Sequence, residues 1–209
     1  MKRVLVLSLL VLITFSFSFC KSEKKKDVEN EYKVEAKKSR FPFSLESAKN
    51  EINFIAYKTT DKVPVGGQFK KVDIITGGEG NSIKEAIHNT DFSIPVSSLF
   101  TKNTSRDYKI KKFFFGIMDN TKLLSGKLVI ENDSIGSASI KMNGVTEKVP
   151  FTYTIEATTF SMKATMDITK WNAVEALNSL NTVCRDLHKG EDGVSKTWSD
   201  VALNIKSTF

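Results

Sequence analysis

From residue 50 onward, apolar and polar positions alternate with a period of two along most of this chain. That is the pattern of strands that bury one face. Ile52, Phe54 and Ala56 alternate with Asn53 and Ile55. Gly66-Gly67-Gln68-Phe69 leads into Val72, Ile74 and Thr76, and the parity break between Phe69 and Val72 predicts a bulge. Further alternating sets are Phe92, Ile94 and Val96, then Leu128 and Ile130, then Ala138, Ile140 and Met142. Val149, Phe151, Tyr153 and Ile155 follow, then Phe160, Met162, Ala164, Met166 and Ile168, and finally Val201, Leu203 and Ile205. About eight strands result. Turn residues separate several of them: Gly77-Gly78-Glu79-Gly80, Asn132-Asp133 and, most specifically, Asn143-Gly144.

Three segments follow a helical rule instead. Short helices are predicted near 82–89 and 103–115. A longer amphipathic helix is predicted over about 171–189, where Trp171, Val174, Leu177, Leu180, Cys184 and Leu187 recur at threes and fours. Gly190 stands where a helix of that length would take its left-handed cap. The expected fold class is mainly β: an eight-stranded antiparallel barrel or sandwich, with the long helix inserted before the last strand.

The first 44 residues follow neither rule. Lys2 and Arg3 precede an apolar run from Val4 to Phe19, and Cys20 stands at its end before Lys21-Ser22-Glu23-Lys24-Lys25-Lys26. A basic start, a short apolar run and a polar junction describe a secretory signal peptide over 1–19. A cysteine at the junction points to lipidation of Cys20, as in bacterial lipoproteins, although Phe19 stands where such signals place a small residue. Ordinary cleavage without lipid and retention as an anchor are the other outcomes; the run is about 16 residues against about 20 for a spanning helix. Each exports the domain to the periplasm or cell surface. Residues 20–44 read as a lipidated cysteine and a charged tether too poor in apolar residues to fold. The folded domain is expected over 45–209.

Composition narrows the rest. The chain is 40% hydrophobic and 26% charged, as in ordinary folded domains, and its formal charge of +7 is scattered. No basic block carries interleaved aromatics, which argues against a nucleic-acid partner. With Cys20 lipidated, Cys184 has no disulfide partner. Cys184 and His188 lie four apart on the predicted helix, but no further ligands complete a metal site. No orienting residue completes a nucleophilic pair either, so no enzymatic chemistry is expected. Arg106-Asp107 reads as an ion pair or cap fixing the loop after Leu99. Phe113-Phe114-Phe115 lies outside the alternation and would plug a barrel end or line an entrance.

The expected inward side chains are Phe54, Phe69, Phe92, Ile94, Leu128, Ile130, Ile140, Met142, Phe151, Tyr153, Ile155, Phe160, Met162 and Met166. An eight-stranded barrel is just wide enough to be filled by side chains or to hold one slim ligand. The residues by themselves fit both a packed, ligand-free barrel acting through its surface and an apolar ligand pocket.

Several motifs resemble the YceI-like proteins over about residues 50–209. They are Gly67-Gln68-Phe69, Ile94-Pro95-Val96-Ser97-Ser98-Leu99 and Thr101 to Asp107, with Lys109-Ile110 and Phe113-Phe114. Ser125-Gly126-Lys127-Leu128 and Met142-Asn143-Gly144-Val145-Thr146 stand where that family has its hairpin region, and Asp186-Leu187-His188, Asp192-Gly193 and Lys196-Thr197-Trp198 are similar to its lipoprotein branch. Tyr57-Lys58-Thr59 departs from the family, which often has a histidine there. The resemblance implies a lipocalin-like barrel holding a polyisoprenoid or quinone-like lipid, with the fourteen inward residues as its pocket, the membrane reached through Cys20, and no metal or other cofactor.

Overall fold

The computed structural model describes residues 39–209. The predicted leader, Cys20 and most of the predicted tether lie outside the described residues.

The strands, in chain order, begin with β1 (Phe43–Ser44), β2 (Lys49–Lys58), β3 (Val63–Phe69), β4 (Asp73–Thr76), β5 (Glu79–Gly80) and β6 (Thr90–Pro95). They continue with β7 (Leu99–Phe100), β8 (Leu123–Ile130), β9 (Ile135–Met142), β10 (Val145–Glu156), β11 (Thr159–Asp167) and β12 (Asp200–Thr208). The helices are α1 (Ile83–Ile87), α2 (Thr104–Phe113) and α3 (Val174–Val183). β1 pairs with β5, and the other ten strands form one antiparallel sheet in the order β4-β6-β8-β9-β10-β11-β12-β2-β3-β7.

The ends of that order meet. β3 leads into β4 through a bend and β6 into β7 through a tight turn, Val96–Ser98, so each couple acts as one bent strand. Phe69 opposes Leu99, the Lys70 amide donates to the Ser98 carbonyl at 3.0 Å, and Asp73 opposes Ser93. The two bent strands therefore pair along both halves and close the sheet into a barrel of eight. Closure leaves no long free edge. The predicted parity break falls at the bend, residues 70–72.

Local chemistry sets the connections. Asn143 (φ 50°) and Gly144 (φ 73°) form the left-handed two-residue turn between β9 and β10. Gly77 (φ 70°) and Gly78 (φ 80°) turn β4 toward β5, and Ser82 caps α1 by accepting from the Glu85 amide. Asn103 caps α2 in the same way through the Arg106 amide at 2.9 Å. Asp107 is buried and accepts from both the amide (2.8 Å) and the hydroxyl (2.6 Å) of Thr101, so it does fix the loop after Leu99, by hydrogen bonds and not by an ion pair with Arg106.

The inserted helix is shorter than its periodicity predicted. Trp171 belongs to a separate tight turn, Ile168–Trp171, and Asn172 takes a left-handed φ of 55° that breaks the helix before it begins. The Asn143 amide group donates to the carbonyls of Trp171 (2.8 Å) and Asn172 (3.2 Å), removing acceptors that a continuous helix would use. A second tight turn, Arg185–Leu187, follows Cys184. Ala176 and Cys184 are buried, whereas Val174 and Leu187 are 48% and 59% exposed. Left-handed φ occurs at Gly193 and not at Gly190, which caps nothing.

Two cores fill the barrel ends. One, at the α2/α3 end, gathers Leu99, Phe114, Phe115, Met118, Met142 and Trp171. The other, under α1, gathers Leu45, Ile83, Ile87, Phe151, Tyr153 and Phe160. Three inward glycines sit directly opposite inward phenylalanines: Gly67 opposite Phe54, Gly126 opposite Phe92 and Gly136 opposite Phe151. In each pair the ring occupies the space a Cβ on the glycine would need. At Gly126 the Ser139 backbone carbonyl closes the same space. Gly126→Ala is therefore expected to destabilise the barrel by about 2–3 kcal/mol, the upper range for an overpacked site, as read by urea denaturation.

Candidate ligand cavity

Between the two cores runs an apolar cavity of about 220 Å³. Ten of the fourteen predicted inward residues stand on its wall: Phe54, Phe69, Phe92, Ile94, Leu128, Ile140, Met142, Phe160, Met162 and Met166. Ile130, Phe151, Tyr153 and Ile155 do not. They belong to the packed core under α1, where Phe151 and Tyr153 are 2% and 4% exposed and the Tyr153 hydroxyl donates to the Asn132 carbonyl at 2.6 Å. Alternation gives the face of a strand but not the level along the barrel axis, so these four were indistinguishable from true wall residues in sequence.

Other wall residues were not singled out. Val201, Leu203 and Ile205 come from β12, and Ile52 and Ala56 from β2; their alternation was visible all along. Ile110 of α2, Phe114, Phe115, and Leu177 and Leu180 of α3 close the α2/α3 end, together with Thr197 and Trp198. The phenylalanine triplet thus divides: Phe114 and Phe115 meet the cavity, while Phe113 packs edge-on against Tyr108 outside.

The cavity has an unevenly buried wall. Ala138, Phe160 and Met162 on β9 and β11 are buried. Ile52, Phe54 and Ala56 on β2 and Leu203 and Ile205 on β12 are only half-buried. Its volume exceeds the roughly 150 Å³ apolar hole that stays dry and admits benzene. It falls below the roughly 300–1,000 Å³ of small-molecule pockets.

Apart from Asn53, the polar side chains on the wall are engaged with protein partners. Ser207 donates to Asn50 at 2.6 Å, and the Asn50 amide group donates to the Leu45 carbonyl at 2.7 Å. Thr90 donates to the Ala86 carbonyl and accepts from the Gly78 amide. Trp198 donates its indole N–H to the Thr59 carbonyl at 2.7 Å, with the Lys196 and Lys62 ammonium groups 3.5 and 4.8 Å from its ring centroid. Thr197 lies 2.7 Å from His188 Nδ1 and donates to Asn181 at 2.9 Å. The surface offered to a guest is hydrocarbon.

Behind Thr197, burial pushes His188 down to about 4, helped by the cations Lys58, Lys109 and Arg106. Burial pushes the free Cys184 thiol up. Among the described residues, no three His, Cys, Asp or Glu side chains converge as metal ligands. A histidine whose folded pKa lies below its unfolded value near 6.5 favours the native state above that pH and loses the contribution as pH falls toward 4. The full shift is worth about 3 kcal/mol, and partial solvation of His188 reduces that to roughly half. Wild-type stability is expected to decline between pH 6.5 and 4 by more than that of His188→Gln, measured by urea titration at each pH.

A closed antiparallel barrel of eight with an apolar bore, α2 and α3 over one end and α1 over the other, is a lipocalin-like fold. The chain belongs to the YceI-like domain family, whose model matches residues 32–209. Among solved structures it is similar to a polyisoprenoid binding domain from Saccharophagus degradans implicated in plant cell wall breakdown, at 10% identity and a TM-score of 0.54 over 76% of this chain and 93% of that one. It is also similar to BcnA from Burkholderia cenocepacia, at 13% identity and a TM-score of 0.51 over 80% of this chain and 99% of that one. No curated protein sequence matches the chain significantly.

Proposed function

We propose that this protein is an exported, membrane-tethered carrier that holds the hydrocarbon chain of an isoprenoid or quinone-like lipid in its bore. The observation that carries this reading is the apolar cavity itself, most of whose polar neighbours spend their hydrogen bonds on other protein groups. Such a wall rewards hydrocarbon at about 0.8 kcal/mol per methylene and offers nothing to a polar guest. A packed, ligand-free barrel would leave no such void. The polyisoprenoid-binding neighbour on the same fold supports the chemical class. A long chain needs more room than 220 Å³, and the flexible thioethers of Met142, Met162 and Met166 on the wall are suited to supply it by rotamer change. The tether rests on Cys20 and the charged segment behind it.

Native mass spectrometry of protein purified from its own membrane fraction tests the cargo. A bound mass that lipid extraction identifies as isoprenoid is the expected result, and a ligand-free barrel that takes up no prenyl lipid in vitro overturns the reading. Metabolic labelling with a fatty acid, wild type against Cys20→Ala, tests the tether separately.

A further inference from the structure

The two ends of the barrel differ in how they treat charge. Under α1, lysines are paired: Lys84 with Asp133 at 2.6 Å, Lys148 with Glu131 at 2.9 Å and Lys49 with Glu51 at 2.6 Å. At the other end, the segment through α2 carries Lys102, Arg106, Lys109, Lys111 and Lys112, and none of the five is ion-paired among the described residues. The one carboxylate among them, Asp107, is buried and held by Thr101. Unpaired cations concentrated on one short helix create a local positive field there.

Five of the ten exposed large apolar side chains among the described residues share this end. Tyr108 (56%), Ile117 (50%) and Leu123 (53%) lie on or beside α2, and Val174 and Leu187 flank α3. Lys112 lies over the rings of both Tyr108 and Phe113, at 5.4 and 5.3 Å. An amphipathic ring beside ammonium groups is the composition found at the headgroup level of bilayers. Apolar contacts scattered across one end suit a soft, extended surface better than a compact groove. The opposite side of the same helix presents Ile110 to the cavity.

We propose that the α2 end of the barrel rests on a bilayer surface rich in anionic lipids, with α2 as the contact. The cations meet headgroup phosphates, and Tyr108, Ile117 and Leu123 enter the interface. This contact is independent of Cys20 and of what the bore carries. It also sets α2 between the membrane and the cavity, one helix thick.

Peptide-resolved hydrogen exchange of the full-length protein tests this on two kinds of vesicle, one of phosphatidylcholine alone and one with about a third phosphatidylglycerol. Amides from 102 to 117 are expected to slow at least about fivefold on the anionic vesicles only, the change that a single basic residue near such a surface provides. The turns at 131–134 and 157–158 keep their rates on both. Replacing Lys102, Lys109 and Lys112 together by Gln weakens contact by about a hundredfold and abolishes the protection, while the β10–β11 amides report an intact fold. Equal exchange of α2 on both vesicles overturns the proposal, including in favour of an acidic protein partner. Protection that appears instead at the α1 end also overturns it. Neither outcome bears on whether the bore holds lipid.

Discussion

Trp171→Ala is expected to cost about 4 kcal/mol of stability, within the range for emptying a buried tryptophan site. Trp171 is fully buried in the core at the α2/α3 end. Its indole N–H donates to the Ile140 carbonyl at 2.9 Å, in the middle of β9, and its own carbonyl accepts from Asn143 in the β9–β10 turn. Truncation leaves a large hole and removes the indole donor to Ile140 at once. Trp171→Phe keeps most of the bulk and loses only the donor, at about 1–3 kcal/mol. Domains of this kind hold about 5–15 kcal/mol in all. Urea unfolding followed by circular dichroism should therefore rank wild type, Trp171→Phe and Trp171→Ala in widely spaced steps. Equal midpoints for wild type and Trp171→Phe would mean that the hydrogen bond to Ile140 contributes nothing.

On the proposed function, Ala56→Trp is expected to empty the barrel of lipid without unfolding it. Ala56 is the smallest side chain on the half-buried β2 wall and faces the void directly. An indole placed there fills space that no protein atom occupies, so it brings dispersion contacts without the strain of an overpacked core. Co-purifying lipid should fall at least tenfold, while the melting temperature stays within about 4 °C of wild type, a shift equivalent to less than about 1 kcal/mol. Thr154→Trp, on the exposed face of β10, is the control that leaves both unchanged. A variant that retains full lipid occupancy would place the ligand outside the bore.

Much of this architecture was legible before any coordinates. Alternation located all eight barrel strands, and the parity break at Phe69–Val72 marked the bend that closes the ring. Asn143-Gly144 gave its turn outright. What failed did so for identifiable reasons. The 171–189 helix was overextended because periodicity is blind to Asn143, far away in sequence, drawing off the carbonyls of Trp171 and Asn172. Phe151, Tyr153, Ile130 and Ile155 were placed on the cavity wall because a strand's period reports its side and not its height. The capping role of Ile110, Leu177 and Leu180 depends on how α2 and α3 settle over the barrel end, which no local pattern encodes. The half-burial of β2 and β12 was hidden for the same reason.

The phenylalanine–glycine pairs bear on more than stability. Gly67 and Gly126 let the rings of Phe54 and Phe92, both on the cavity wall, lie back into the strands opposite. The calibre of the bore is thus set by two missing methyl groups as much as by the residues that line it. A methyl at position 67 would swing the Phe54 ring toward the axis and narrow the passage while leaving its lining chemically unchanged. Width and greasiness are therefore separate dials in this barrel, and a relative could change the girth of its guest through a glycine that never touches it.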